Sequence, residues 1–273
     1  MVAGRALGVV GELLACDWDT CRGGCNASRA PRRDERVRGL TPEEIIIGGL
    51  ADVAWTVAYL LAIRQARKDR RYGFPLVAIT TMWSFEFCFA VIWPFPYAAA
   101  RVIEFVWLAL DSVLLFQTFR YSPRSIGTPL LARYAPVLVG VTLAIMFAGM
   151  ITFTEFYSYE NGWMPAIVAM GMIAAPFPIL IATRPGALGI SWSGLWWRVA
   201  ADVLTTINIL LMPFYRTYGG EPEGVMSTNN PFTQWIAAGT LMCDGLSLWL
   251  MWRIRKGARD GPLTGTTATP PDG

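Results

Sequence analysis

The chain predicts an all-α fold, a polytopic transmembrane bundle of seven helices. Three observations carry that expectation. Of 273 residues, 54% are hydrophobic and only 16% charged, well below the roughly 25% charge of ordinary soluble domains. The deficit is uneven, because long apolar runs alternate with short basic clusters. Each run is about 20 residues, the length a helix needs to cross roughly 30 Å of hydrocarbon. No run shows the period-two alternation of a membrane barrel strand.

Taken in order, residues 1–41 read as a flexible extension, polar and Arg-rich after a short apolar start. Leu13-Leu14-Ala15-Cys16 faintly resembles a lipoprotein cleavage site, but Glu12 interrupts the apolar stretch before it. Cys16, Cys21 and Cys25 are odd in number, so at most one disulfide forms among them. Seven apolar segments follow at Pro42–Ile63, Phe74–Pro94, Tyr97–Phe119, Leu130–Phe153, Trp163–Ala182, Ile190–Pro213 and Phe232–Trp252. Pro94 and Pro96 separate the second from the third, and Pro176 and Pro178 are expected to kink the fifth. Residues 42–256 thus form the membrane domain. Residues 257–273, rich in Gly, Thr and Pro, read as a disordered tail.

Basic residues sit at the ends of the apolar runs, where they anchor helices at the lipid interface rather than form a nucleic-acid surface. Arg64, Arg67 and Lys68 follow the first span, Arg120 and Arg124 the third, Arg184 the fifth, and Arg253, Arg255 and Lys256 the seventh. All fall on one side, which places the C-terminus in the cytoplasm and the N-terminus outside. Arg29, Arg32, Arg33, Arg36 and Arg38 run against that orientation. The Ala/Arg/Gly-rich, Lys-poor usage points to a bacterial plasma membrane.

The absences exclude several functions. The chain has no histidine, which removes imidazole metal sites, His-ligated haem and His-based proton transfer. Its lysines, Lys68 and Lys256, lie in basic clusters at helix ends, so no mid-membrane amine could carry a retinal Schiff base. No phosphate-binding glycine loop occurs. No convincing internal repeat is present, which weighs against transporters built from duplicated halves.

Chemistry is therefore sought among carboxyl groups placed in hydrocarbon, where ionisable side chains are costly and face an interior or cavity. The candidates are Asp52, Glu86, Glu104, Asp111, Asp202 and Asp244. Glu86 lies among aromatic rings near the middle of its span, and Asp244 has no basic residue within one turn. A helix–helix hydrogen bond would account for either acid equally well. Glu104 and Asp111, seven apart, share a helix face, and Arg101 is a possible partner of Glu104. Arg198 precedes Asp202 by four residues, the spacing of a structural ion pair. No Asp-Asp-x-x-Asp cluster is available to gather magnesium about a diphosphate, so neither metal nor cofactor is expected. Trp83, Trp93, Trp107, Trp196 and Trp235 could stabilise a cation by roughly 0.5–2 kcal/mol each. They equally suit an interfacial aromatic belt.

These residues resemble those of a family, the membrane-integral seven-helix terpene cyclases of fungal meroterpenoid and indole-diterpene pathways and their bacterial counterparts in drimentine-type indole sesquiterpenoid pathways. The family's helix-two Asn-x-x-Trp-Glu-like element is matched by Thr80-Thr81-Met82-Trp83-Ser84-Phe85-Glu86-Phe87. The Asn is missing here, and Trp and Glu are three apart rather than adjacent. Trp107-Leu108-Ala109-Leu110-Asp111 is similar to the family's third-helix Trp-x-x-x-Asp element, and Asp244 matches the Asp of the last helix. The resemblance implies that Glu86 and Asp244, with Asp111, are the catalytic acids. They would protonate the terminal alkene or epoxide of a lipophilic prenylated substrate, of farnesylated indole or diketopiperazine type, and a cation cascade would then close rings. Partners would be that substrate and membrane lipid, with no nucleic acid and no metal. A sterol-type double-bond isomerase or a proton-coupled transporter would also use scattered intramembrane acids.

Overall fold

The computed structural model describes residues 42–95, 98–125, 129–156, 163–211 and 231–259. The expected N-terminal extension, the polar loop after the sixth span and the tail beyond residue 259 lie outside the described residues. Helix α1 is Pro42–Asp69, α2 Leu76–Phe87, α3 Ala98–Ser125 and α4 Pro129–Phe156. They are followed by α5 Trp163–Ala174, α6 Phe177–Thr183, α7 Trp192–Leu211 and α8 Pro231–Arg259. No strand occurs among the described residues. Helices α5 and α6 make one span broken at Ala175 and Pro176, where proline removes a backbone donor, as expected for the fifth segment. Helix α8 runs to Arg259, past Gly257, so the first residues of the expected tail extend the last helix instead.

The spans Ile45–Asp69, Ala132–Glu155 and Met164–Thr183 are long and apolar enough on their own to cross a bilayer. The outward faces are apolar, as at Val53 and Leu60 on α1, Val102, Phe105 and Phe116 on α3, and Val137, Val141 and Ile145 on α4. So broad an exposed apolar surface is suited to lipid rather than water.

Helix α2 is buried around its whole circumference from Ala78 to Glu86, apart from half-buried Trp83. A helix buried on every side belongs inside a bundle. Accordingly α2 packs on α3, α4 and α5, while α1 packs on α3 and α7, and α8 on α5, α6 and α7. Helix α2 thus lies among α3, α4 and α5. Beyond Phe87 the helix widens into a π-turn at Cys88–Ile92, closed by Trp93 N–H donating to the Cys88 carbonyl at 2.8 Å. Such turns are frequent beside functional side chains.

One end of the bundle is locked by two loops. The Gly189 N–H donates to Asp69 Oδ2 at 2.7 Å, and Arg184 donates to the Tyr72 and Leu188 carbonyls. The Arg184 guanidinium lies 4.1 Å from the Tyr72 ring centre. Gly189 has φ of 88°, and a Cβ on Gly73 would stand 2.5 Å from the Gly189 carbonyl. Only glycine fits this crossing, which sets α1 against α7.

Candidate active site

Two groups of ionisable side chains occupy the interior. The first gathers Asp52 from α1, Glu86 from α2, and Glu104 and Asp111 from α3. Glu86 is 4% exposed, Glu104 6% and Asp111 0%. The face shared by Glu104 and Asp111 turns inward toward α2, and Glu104 lies beside Glu86. The expected Arg101 partner is therefore replaced: Arg101 is exposed, and Glu104 faces Glu86. Two carboxyls can share a hydrogen bond only when at least one is protonated, because a carboxylate offers no donor. Glu86 Oε2, Glu104 Oε2 and both Asp111 oxygens are buried without hydrogen-bond partners. Among the described residues no Lys or Arg forms an ion pair with any of the four.

Aromatic rings lie on the same helices. Trp83 stacks on Phe87 at 5.1 Å, and both approach Phe147 of α4. The Trp83 indole N–H donates to Ser112 Oγ at 3.1 Å, and Trp107 Nε1–H donates to Thr56 Oγ1 at 3.0 Å. Their polar edges are thus tied to neighbouring helices, which fixes the ring planes. Trp93 packs on Phe89, whose ring also stacks on Phe95 at 5.6 Å.

The second group is Arg198 and Asp202 of α7 with Asp244 of α8. Arg198 Nη2 contacts Asp244 Oδ1, and Nη1 lies 3.7 Å from Asp202 Oδ2. All three are essentially inaccessible to solvent. The guanidinium lies 4.1 Å from the Phe177 ring centre. Arg198 Nε, Asp244 Oδ2 and Ser247 Oγ are buried and without hydrogen-bond partners. A cavity of about 20 Å³ reaches Arg198 between Ala58, Ala62, Phe74, Ser191 and Leu195. Tyr59, buried on α1, lies within electrostatic reach of both groups. Ring contacts run from Tyr59 to Phe74 at 6.3 Å and on to Phe177 at 5.2 Å, under the guanidinium.

The expected residues are therefore divided. Glu86 and Asp111 come together, with Trp83 and Trp107 on the same helices. Asp244 lies instead with Arg198 and Asp202, so the meeting expected of Glu86 and Asp244 is replaced by an ion pair across α7 and α8. Asp244, which has no basic residue within one turn of its own helix, has Arg198 of α7 beside it. Trp196 is 51% exposed and Trp235 72%. Both face outward, so neither is placed to stabilise a cation inside the bundle. Near the basic end of α8, Arg255 lies over Trp192 and Lys256 over Trp252, an interfacial arrangement. Arg198 and Tyr59 were not expected to belong to the site, and Glu104 was a candidate acid but not among the three expected to be catalytic. Glu104 had a signal in its seven-residue spacing from Asp111, and Arg198 in its spacing from Asp202; Tyr59 had none. Among the described residues no three acids converge in the geometry of a cation site.

The fold and site define a membrane-integral helical bundle with apolar faces toward lipid, carboxyl groups buried inside and aromatic rings on the same helices. Residues 26–257 match the family of Pyr4-like transmembrane terpene cyclases, and the chain belongs to that family. It is similar to terpene cyclase cle7 of Aspergillus versicolor, 26% identical over 80% of this chain and 91% of the relative. It is also similar to terpene cyclase pyr4 of Aspergillus fumigatus, 24% identical over 86% of this chain and 95% of the relative. The Pyr4-family terpene cyclase mfmH of Annulohypoxylon moriforme is 30% identical over 56% of this chain and 62% of its own. No solved structure gives a significant match.

Proposed function

We propose that this terpene cyclase starts its reaction by protonation without metal. The substrate class is a prenylated compound, farnesylated on an indole or diketopiperazine, whose terminal alkene or epoxide takes the proton. Glu86 is the donor. The observation that carries this reading is the burial of Glu86 beside Glu104, Asp111 and Asp52, away from any ion-pair partner.

In the first step the Glu86 O–H bond breaks and a C–H bond forms at the terminal carbon, or an O–H bond at the epoxide oxygen. Glu86 is left as carboxylate and the substrate as a carbocation. Ring closures move the cation along the chain, and a C–H bond is finally broken by a carboxylate. Asp244, held beside Arg198, is the base assigned to that step. Nothing is gained or lost overall in the alkene case except bond order. Trp83, Trp93 and Trp107 offer ring faces to the cation. A water-poor interior keeps water from capturing it. Holding a proton and giving it up readily pull against each other, so the rate must come from positioning and cation stabilisation. Lys/Arg placement supports a cytoplasmic C-terminus. The relatives named above are fungal and lend no support to the bacterial origin that amino-acid usage suggests.

Membranes containing the protein, supplied with farnesylated indole and its terminal epoxide, test the reading. Ring-closed product should form, and Glu86→Gln and Asp244→Asn should each reduce it by roughly 10²-fold or more at equal expression. Undiminished cyclisation by Glu86→Gln would remove Glu86 as the donor.

A further inference from the structure

We propose that the cavity beside Arg198 is a binding site for one water molecule, which bridges the buried guanidinium to Ser191. Arg198 is 1% exposed. A guanidinium carries five N–H donors in one plane and no acceptor. Nη2 is engaged by Asp244, and Nη1 lies 3.7 Å from Asp202 Oδ2. One face of the group lies over the Phe177 ring, 4.1 Å from its centre. Nε is buried and has no acceptor among the described residues. A buried donor left unpaired is costly, and ordered water is the usual partner where no protein group reaches it.

The cavity has the size and the walls for that occupant. Its volume is about 20 Å³. One water needs roughly 10–15 Å³, so there is room for a water and for little else. Arg198 forms one wall, and Ala58 and Ala62, four apart on one face of α1, form another. Polar groups meet the cavity at two more places. Ser191 precedes α7 and accepts the Gly194 N–H through Oγ at 3.0 Å, which leaves its own O–H to donate. Gly73 and Phe74 precede the Pro75 cap of α2, and neither enters a backbone hydrogen bond among the described residues. The water accepts from Arg198 Nε–H and Ser191 O–H and donates to a carbonyl of the Gly73–Phe74 segment. Three bonds are the usual number for a buried water.

Gly73 and Gly189 also line the cavity, at the loop crossing that closes this end of the bundle. Water therefore reaches the site from the interface and not through hydrocarbon. Once bridged at Nε, the guanidinium is met by Asp244, Asp202 and the water along its edges and by Phe177 on one face. A wet cavity and a dry one respond oppositely to filling. Methyl groups added to a dry void gain contacts and stabilise the fold. Added to a hydrated site, they expel the water and strand the donors it served.

The test uses thermal unfolding of the full chain in detergent. Ala62→Val puts two methyl groups into the cavity. In the wild-type background it should lower the unfolding midpoint by roughly 2–6 °C, because Arg198 Nε is left without a partner. In an Arg198→Met background that donor is absent, and the loss caused by Ala62→Val should fall below half or turn into a gain. A midpoint that is unchanged or raised in the wild-type background marks a dry void and overturns the proposal. So does a loss at least half as large in the Arg198→Met background, which is what overpacking alone produces. If either variant does not accumulate, a high-resolution structure of the wild-type chain in lipid decides. Density for a water within hydrogen-bonding range of both Arg198 and Ser191 supports the site, and a cavity without it overturns the proposal.

Discussion

Removing the Arg198 guanidinium should destabilise the fold by an amount that depends on Asp244. Arg198→Met keeps an unbranched stem of similar reach but leaves Asp202 and Asp244 buried together without a cation. Breaking a buried ion pair by deleting one partner costs about 3–5 kcal/mol. Loss of the contact over Phe177 adds about 0.5–2 kcal/mol. One aspartate can take up a proton and recover part of this, so we expect a net loss of about 3 kcal/mol, a shift of roughly 10²-fold in the folding equilibrium. In an Asp244→Asn background the same substitution leaves one carboxyl rather than two, and should be milder by about 2 kcal/mol, within the range for residues in contact. The assay is a double-mutant cycle read by thermal unfolding of the detergent-solubilised chain with intrinsic tryptophan fluorescence. Additive effects, with coupling below about 0.5 kcal/mol, would show that Arg198 and Asp244 are energetically independent.

Two further outcomes follow from the geometry. Gly189→Ala would place a Cβ 2.8 Å from the Tyr72 carbonyl at a φ of 88°, so it should destabilise the chain by about 1–3 kcal/mol; Gly186→Ala, also at positive φ but facing open space, should cost less in the same thermal assay. Trp83→Phe keeps the stack on Phe87 and loses the bond to Ser112, about 1 kcal/mol and hence roughly fivefold in turnover. Trp83→Leu should lose more, while Trp235→Leu, on the outer surface, should stay within about threefold of wild type in the same product assay.

The spans were legible because each carries its own signal: length and apolarity on α1 and α4, and the proline break between α5 and α6. The contents of the site were half legible for the same reason. Helical periodicity puts Glu104 and Asp111 on one face and Arg198 beside Asp202, since those relations stay within one helix. Periodicity does not say which neighbour the face meets. Glu104 meets Glu86 because α2 lies inside the bundle, a consequence of packing among several helices. Asp244 meets Arg198 across 46 residues of chain, through the contact of α7 with α8. Tryptophan was the least legible residue, since an interfacial ring and an interior ring have the same composition and spacing. Burial alone separates Trp83 and Trp107 from Trp196 and Trp235.

That division of the acids bears on how one interior could run both ends of a cation cascade. A donor and a base of identical chemistry side by side would exchange the proton directly, so neither would keep a fixed role. Here the surroundings set the two apart. Glu86 has a carboxyl neighbour and no ion-pair partner, which favours keeping a proton in the contact. Asp244 has Arg198 beside it instead. The aromatic run from Tyr59 through Phe74 to Phe177 lies between the groups, offering apolar surface to a chain and ring faces to a travelling cation. The order of the chemistry would then follow from the order of the groups: proton delivery beside α2 and α3, ring closure along the aromatic surface, and proton loss toward α7 and α8.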